Sequence, residues 1–309
     1  MLRRILLASA GAIALSGAAM AADLTRPPPP PVYVPPVPPP LWNGFYIGLN
    51  AGGTWSSSNN INTIAFPGPC DPASGLGCSL SPNYSTLSAI GATFSVPVST
   101  SGFIGGGQLG YNYQFANNWV VGIEADIQGI AGSRRSASVF TTVPSPNFPA
   151  SPLNSVDTAS RSIDYLGTLR GRIGLLATPT FLLYGTGGLA YGGVQLNTSI
   201  VQSAPGLVFL GVPSSFGSAS ITRVGWTAGG GVEWTFLPNW SLKVEYLYYD
   251  IGNLTNTPSP IVGLNGVAPV GSVFMTSFPR TTTRFNGNIV RAGINYHFNW
   301  LPAPVVAKY

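Results

Sequence analysis

Two pairs of charged residues have a spacing that chemistry could use. Glu124 and Asp126 are separated by one residue, and so are Arg170 and Arg172. In a β-strand this spacing places both members of a pair on one face. Two carboxylates on one face can carry acid–base chemistry or can pair with cations. Because arginines with the same spacing are available, the sequence predicts ion pairing.

The other reactive groups do not assemble into a catalytic site. His297 is the sole histidine, and no Ser/His/Asp or Cys/His set can be built around it. No catalytic residue, metal site or cofactor is predicted, and the chain is not expected to be an enzyme. Cys70 and Cys78 are predicted to form a disulfide, since an even cysteine count in an exported chain indicates pairing. A metal or redox role is the alternative, but their spacing is neither CxxC nor that of a zinc site.

The charged pairs lie in segments where polar and apolar side chains alternate. In Trp119–Ile130, for example, Val121 and Ile123 point one way, and Glu124 and Asp126 alternate with them. Each segment is long enough to cross a hydrocarbon layer as a tilted strand, which takes about 9–11 residues. The eight segments are Gly44–Thr54, Gly102–Phe115, Trp119–Ile130, Ser162–Leu176, Thr180–Val194, Thr222–Phe236, Trp240–Gly252 and Arg284–Phe298.

Composition favours one fold class. Only 7% of the 309 residues are charged, against about 25% in ordinary soluble domains. The 39 glycines and 29 prolines exclude a helix bundle. After residue 15, no apolar run approaches the ~18–20 residues of a spanning helix. No basic run suits nucleic acid. The prediction is an all-β, eight-stranded antiparallel transmembrane β-barrel with short periplasmic turns and long extracellular loops. A soluble sandwich would place the apolar rows inside instead.

Four regions are predicted along the chain. Residues 1–21 form a signal peptide, with basic Arg3 and Arg4 before an apolar stretch and a small-x-small cleavage site. Residues 22–41 form a Pro-rich periplasmic spacer, residues 42–298 form the barrel, and residues 299–309 form a tail. Three-residue turns (Ala116–Asn118, Ala177–Pro179 and Leu237–Asn239) alternate with much longer loops. The protein is therefore expected in the outer membrane of a Gram-negative bacterium.

Eight charges in the strands, about four to eight residues from a short turn or from Phe298, fall on polar rows and at similar depth. They are predicted to form one belt inside the barrel, either closing the lumen by ion pairs or forming the constriction of an open pore. Counting from the last short turn, Phe236 should face Trp240, and Glu233 should contact Lys243. The belt comprises Glu124, Asp126, Arg170, Arg172, Glu233, Lys243, Glu245 and Arg291.

A basic rim and aromatic strand ends complete the pattern. Arginines where strands meet long loops are predicted to contact lipopolysaccharide phosphates, with ordinary solvated charge as the alternative; they are Arg134, Arg135, Arg161, Arg223, Arg280 and Arg284. Aromatic residues near strand ends predict interfacial girdles; they include Trp42, Phe45, Tyr46, Tyr113, Phe115, Trp119, Trp234, Phe236, Trp240, Tyr296 and Phe298. Loop stretches Gly206–Val212 and Ile261–Val273 are either partner surfaces or hairpins that extend the barrel.

Sequence runs in every strand resemble the porin-like outer-membrane surface-antigen barrels of alphaproteobacteria. They include WNGFYIGLNAGGTW (42–55), GGGQLGYNYQF (105–115), VGIEADIQG (121–129), LRGRIG (169–174), YGTGGLAYGG (184–193), GWTAGGGVEWTF (225–236), LKVEYLYYDIG (242–252) and IVRAGINYHF (289–298). The resemblance implies an OmpA-like barrel that is exposed at the cell surface and supports envelope integrity. Some relatives show porin-like or haem-binding behaviour, but no residue set here supports haem ligation.

Three functions stay open at this point. The leading hypothesis is a structural surface barrel whose lumen is closed, and the alternatives are a small passive pore and a loop-mediated adhesin or ligand receptor. Expected partners are outer-membrane lipid, lipopolysaccharide and the barrel-assembly machinery. That machinery would read Val290, Ile294, Tyr296 and Phe298 in the last strand. The sequence does not name an oligomeric state.

Overall fold

The computed structural model describes residues 41–74, 78, 81–116, 118–267 and 269–298. The expected signal peptide at 1–21, the tail at 299–309 and all of the 22–41 spacer except its last residue lie outside the described residues. The strands are β1 (Gly44–Ser56), β2 (Asn60–Pro67), β3 (Phe94–Pro97), β4 (Ser101–Phe115), β5 (Trp119–Ala131), β6 (Arg135–Val143), β7 (Leu153–Thr178), β8 (Phe181–Ser203), β9 (Ser214–Leu237), β10 (Trp240–Asn256), β11 (Ile261–Leu264) and β12 (Val273–His297). Among the described residues, the α-helix α1 (Tyr84–Gly91) and a 3-10 turn at Pro72–Ser74 precede β3.

Eight of the described strands close into an antiparallel ring. Their order is β1-β4-β5-β7-β8-β9-β10-β12, and β12 pairs back with β1 from Tyr46 opposite His297 to Ser56 opposite Gly287. Closure removes the unpaired edges that an open sheet would expose. The predicted fold class, an eight-stranded antiparallel barrel, is confirmed. Among the residues that the structure describes, no helix has the length and apolar character needed to cross a membrane.

Two of the predicted short turns are tighter than expected. The β7–β8 connection is residues 179–180 and the β9–β10 connection is residues 238–239. A register shift next to each turn takes up the remaining residue. As a result, Trp240 pairs with Leu237, and the expected opposition of Phe236 and Trp240 is wrong. Beyond the shift, Lys243 does pair with Glu233 in the ladder, as predicted.

Several strands continue well past the ends predicted from alternation. Strands β7, β8 and β9 extend the barrel at the long-loop end, and β6 adds to β7 there. On the other side, β2 pairs with residues 277–283 of β12, and β11 pairs with the start of β12. Much of the predicted loop length is therefore hairpin. Ile261–Val273 was predicted to be either a partner surface or a hairpin that extends the barrel. Its first residues form β11, which pairs with β12 as a hairpin would.

Apolar residues change from the outward row to the inward row along these long strands. In β8, Leu183 and Leu189 are exposed near the short-turn end, whereas Leu196 and Ile200 are fully buried near the long-loop end. The expectation that the apolar row faces outward holds only for the short-turn half. Apolar outer faces suit hydrocarbon, and apolar interiors suit a barrel surrounded by water. The reversal therefore marks the level at which the outside changes from lipid to water.

Helix α1 packs inside the long-loop half of the barrel. The Asn83 side chain caps it by accepting a hydrogen bond from the Thr86 amide at 3.0 Å. Tyr84 and Leu87 are buried in the apolar core, which also includes Phe274 of β12. Ser88 donates to the Gln202 side chain of β8 at 2.6 Å. The helix thus packs into the interior of the extended strands.

Candidate functional site

The eight residues predicted to form a belt all point into the barrel. They come from β5, β7, β9, β10 and β12, and every one is at most 5% exposed. Ladder pairing sets Glu124 opposite Arg170 and Glu245 opposite Arg291. The alternation of each strand fixes the inward direction, and the ring curvature brings the side chains together. We call these eight residues the ion-pair belt.

Two arginines and three carboxylates form the centre of the belt. Arg170 Nη1 donates to Glu245 Oε1 and Arg170 Nη2 to Asp126 Oδ2, each at 2.9 Å. Arg170 Nη2 also contacts Glu124. Arg291 Nη2 lies 2.8 Å from Asp126 Oδ2 and 2.6 Å from Glu245 Oε2. Each guanidinium is shared between carboxylates from different strands, so the belt is a network rather than a set of separate pairs.

One ion pair spans the lumen. Lys243 Nζ of β10 lies 2.8 Å from both carboxylate oxygens of Glu124 on β5. Strands β5 and β10 stand on opposite sides of the eight-stranded ring, with three strands between them in either direction. The predicted contact between Lys243 and Glu233 is replaced by this pair, because Lys243 extends across the lumen while its ladder neighbour bonds elsewhere.

A second layer lies nearer the short-turn end. Glu233 accepts from Arg172 Nη2 at 2.6 Å, from Ser241 Oγ at 2.6 Å and from Asn295 Nδ2 at 2.7 Å. The Arg172 guanidinium also lies 4.2 Å from the centre of the Tyr184 ring. Glu233 is thus fully satisfied by neutral and cationic donors.

Two aromatic residues lie on a different surface from the one predicted. Trp42 and Tyr46, expected in the outer girdle, are buried in the interior. The Tyr46 hydroxyl donates to Glu124 at 2.6 Å, and Trp42 Nε1 donates to the Pro179 carbonyl at 3.0 Å. The alternation of the strand indicates the correct, inward direction for Tyr46, because its neighbours Phe45 and Ile47 face outward. Its ladder partner is a glycine, which leaves room for the ring. A Cβ on that partner, Gly110, would lie 2.3 Å from the Tyr46 ring.

An apolar layer covers the belt on its long-loop side. Ile104, Leu247 and Ile289 are fully buried there, and Tyr249 and Phe285 lie in the same core. Because Leu247 follows Glu245 on the inward row of β10, and Ile289 adjoins Arg291 on that of β12, the two layers are adjacent. The apolar layer then merges with the core around α1.

The predicted rim arginines have different environments. Arg134, Arg135 and Arg280 are exposed, and Arg223 is half-buried. Arg284 pairs with Asp250 at 2.5 Å, which raises the pKa of Arg284. Arg161 departs from the expectation, because its side chain points inward and is 2% exposed. It donates to the Ser58 carbonyl at 2.7 Å and to the Thr283 hydroxyl at 3.2 Å.

A carboxylate is also buried in the extended half. Asp157 of β7 is fully buried and accepts from Ser155 Oγ at 2.7 Å. Its other oxygen, Oδ2, has no hydrogen-bond partner among the described residues. Burial raises the pKa of Asp157 to about 6, and the Ser155 hydrogen bond only partly opposes this.

The predicted disulfide is present. Cys70 and Cys78 are bonded, with Cα atoms 5.8 Å apart. The bridge lies in the long connection between β1 and β4, near the start of β12, where the Asp71 amide donates to the Val273 carbonyl at 2.8 Å.

The outer surface of the short-turn half is a continuous apolar band. Large apolar side chains from all eight barrel strands are exposed there, among them Leu49, Leu109, Ile123 and Ile173. Aromatic side chains border the band at both ends, with Phe45 and Tyr111 at one and Trp226 and Tyr248 at the other; the latter two rings are 5.4 Å apart. An apolar outer band around an ionic interior defines a protein that spans a membrane as a β-barrel.

The chain belongs to the outer membrane protein β-barrel domain family, whose family model matches residues 8–298. It is 31% identical over 297 residues to the 31 kDa outer-membrane immunogenic protein of Brucella melitensis, covering 96% of this chain and 100% of that protein. It is also 31% identical over 153 residues to a 22 kDa outer membrane protein of Rhizobium leguminosarum, covering 49% and 54%. The family resemblance and the outer-membrane location in a Gram-negative bacterium are confirmed.

Solved outer-membrane barrels are similar to the chain. OprG from Pseudomonas aeruginosa aligns with a TM-score of 0.37 at 14% identity, covering 83% of this chain and 97% of OprG. Neisserial surface protein A aligns with a TM-score of 0.30 at 15% identity, covering 82% of this chain and 97% of that protein.

Proposed function

We propose that this protein is a structural, non-catalytic component of the outer membrane whose lumen is closed and which contributes to envelope integrity. The observation that carries the proposal is the Lys243–Glu124 pair, which joins opposite sides of the ring with both side chains at most 3% exposed. A water-filled channel would expose ionised side chains along its wall. Here the charges satisfy one another instead.

The apolar layer supports the same proposal. Ions or small solutes that passed the ion-pair belt would next meet Ile104, Leu247 and Ile289, which are packed without exposure. Moving an ion through such a segment carries a large desolvation cost. Helix α1 adds a further obstruction at the cell-surface end.

Planar-bilayer recording tests the closed lumen against the alternative of a small passive pore. The purified full chain should give no discrete conductance steps at protein levels where a general diffusion porin in the same bilayer gives many. Stable steps from the wild-type protein would overturn the closed lumen. A separate deletion strain tests the envelope role: it should become more sensitive to detergent and regain resistance on complementation, and unchanged sensitivity would refute that role.

We also propose two partners for the outer surface of the barrel, lipopolysaccharide and the barrel-assembly machinery. The exposed Arg134, Arg135 and Arg280 can present guanidinium groups to lipopolysaccharide phosphates. Replacing all three by Gln should reduce co-purified lipopolysaccharide, and an unchanged amount would eliminate the idea. The segment that the barrel-assembly machinery reads is proposed to be the outward row of β12 at Val290, Ile294 and Tyr296, together with Phe298 directly after the strand.

An exposed apolar tip favours a second candidate function, contact with another surface. Residues 206–212 and β11 are joined where the Leu210 amide donates to the Leu264 carbonyl at 2.9 Å. Three apolar side chains beside this hydrogen bond are more than half exposed, those of Val208, Leu210 and Val212. An adhesin or ligand receptor would use such a tip.

The double variant Leu210→Ser/Val212→Ser tests this second role without touching the core. If the tip mediates adhesion, cells that display the variant should bind a surface less than cells that display wild type. Phe140→Ser, an equally exposed apolar residue on β6, is the matched control. Equal loss in the control, or no loss in the double variant, would remove the candidate.

A further inference from the structure

A polar cleft opens on the outer face of the barrel just above the aromatic border. It has a volume of about 600 Å³, within the range of small-molecule sites. The cleft forms where β1 leaves β12 and β2 takes its place: β12 pairs with β1 up to Gly287 and with β2 from Thr283 onward. The strand exchange leaves a gap beside Arg284. Its lining includes Ser57, Asn60, Asn62, Asn253, Thr282 and Arg284.

The cleft walls are held in place by hydrogen bonds. The Ser57 amide donates to the Asn286 carbonyl at 3.1 Å, and the Ser58 amide donates to the Asn286 side chain at 2.9 Å. Behind the cleft, Arg161 reaches from β7 across the interior and donates to the Ser58 carbonyl and the Thr283 hydroxyl. Arg161 is buried, and no carboxylate of the described residues lies within salt-bridge range of it. Burying such a charge without a counter-ion lowers the free energy of unfolding. Here it fixes the backbone of the cleft.

The chemistry of the lining is that of amides and hydroxyls. An asparagine side chain offers two donors and an acceptor, and a serine or threonine hydroxyl both donates and accepts. The charged lining residue Arg284 is neutralised by Asp250, whose Oδ2 accepts from both Nε and Nη2 of the guanidinium. On the outer face of the cleft, Arg284 pairs with Asn253 in the ladder, and Thr282 pairs with Asn62.

We propose that this cleft binds a neutral saccharide through its vicinal hydroxyls. Each sugar hydroxyl donates one hydrogen bond and accepts up to two, which matches the mixed donors and acceptors of the lining. A phosphate or sulfate would instead favour unpaired cations, and an apolar ligand would leave the amides unsatisfied. The height of the cleft, two residues beyond Trp55 on β1, lets it reach either a soluble glycan or the glycan of a glycolipid in the same leaflet.

Saturation-transfer NMR on the full chain in nanodiscs free of lipopolysaccharide tests the proposal. The probes are maltose, lactose, sucrose and a dephosphorylated core oligosaccharide, with inorganic sulfate as a competitor. We expect transfer from at least one saccharide and no competition by sulfate. Adding intact lipopolysaccharide distinguishes the sources: displacement of the bound saccharide indicates a glycolipid glycan, and its absence indicates a soluble one.

Two exposed amides provide variants that leave the core intact. Asn253→Ala and Asn62→Ala should each weaken saccharide binding about tenfold, the effect of losing one or two hydrogen bonds. Asn154→Ala, an amide on β7 that lies away from the cleft, is the matched control and should bind as wild type does. The proposal is overturned if no saccharide gives transfer, if sulfate competes, or if both cleft variants bind as tightly as the control. None of these results depends on whether the lumen conducts.

Discussion

The cross-lumen ion pair can be tested by a double-mutant cycle. Glu124→Gln and Lys243→Met each remove one charge from a belt of four acids and four bases, whereas the double variant restores neutrality. Lys243 Nζ lies 2.8 Å from both Glu124 oxygens, and both side chains are at most 3% exposed. Removing one partner of such a buried pair costs about 3–5 kcal/mol, because the ion-pair belt is then left with one buried charge in excess.

The expected signature is strong non-additivity. Since the double variant leaves neither charge orphaned, it should be no less stable than either single variant, and the coupling should approach about 3 kcal/mol. The assay is urea unfolding of the barrel refolded into phospholipid vesicles, followed by tryptophan fluorescence. The Asp250–Arg284 pair serves as the matched control, because the Arg284 side chain is 55% exposed and should show much weaker coupling.

One result would refute this reasoning. If the two single costs add to the double cost within about 0.5 kcal/mol, the two residues are energetically independent. Lys243 would then not join the two sides of the ring, and the main support for a closed lumen would be lost.

Three further predictions concern other parts of the barrel. Because burial raises the pKa of Asp157 to about 6, folding favours the protonated carboxyl over the ionised one. The stability that this preference contributes is fully present below about pH 4 and is lost as the pH rises through 6. Asp157→Asn should therefore stabilise the extended half by about 3 kcal/mol at pH 8 and by little at pH 4, measured by hydrogen exchange of residues 153–163; equal effects at both pH values would contradict the assignment. Gly110→Val should displace the Tyr46 ring and lower folded yield, judged by heat-modifiable gel mobility, whereas Gly53→Val, whose Cβ would meet nothing within 4 Å, should fold normally. Cys70→Ser should lower the protease resistance of the β1–β4 connection while leaving the barrel folded, as its loop-closure effect is about 2–3 kcal/mol; loss of the whole barrel would show a larger role.

Local pattern was enough to predict the barrel and its inward-facing charges. The side-chain period of a strand is two, so residues such as Glu124 and Asp126 are assigned to one face without knowledge of distant contacts. Ladder register near a short turn is also local, and Glu233 was correctly set beside Lys243. Tyr46 was assigned to the outer girdle because it is aromatic and lies near a strand end. That assignment was wrong, since the alternation of β1 directs Tyr46 inward.

Contacts across the lumen and the upper half of the barrel depended on the tertiary structure. Lys243 reaches Glu124, which is 119 residues away, because ring closure places β5 and β10 opposite each other. The reversal of apolar rows in β8 and the insertion of α1 depend on where the surrounding solvent changes from lipid to water. The sequence by itself determined which side chains share a face. Only the closed ring decided which of them meet, because those distances are set by curvature and registration of all eight strands together.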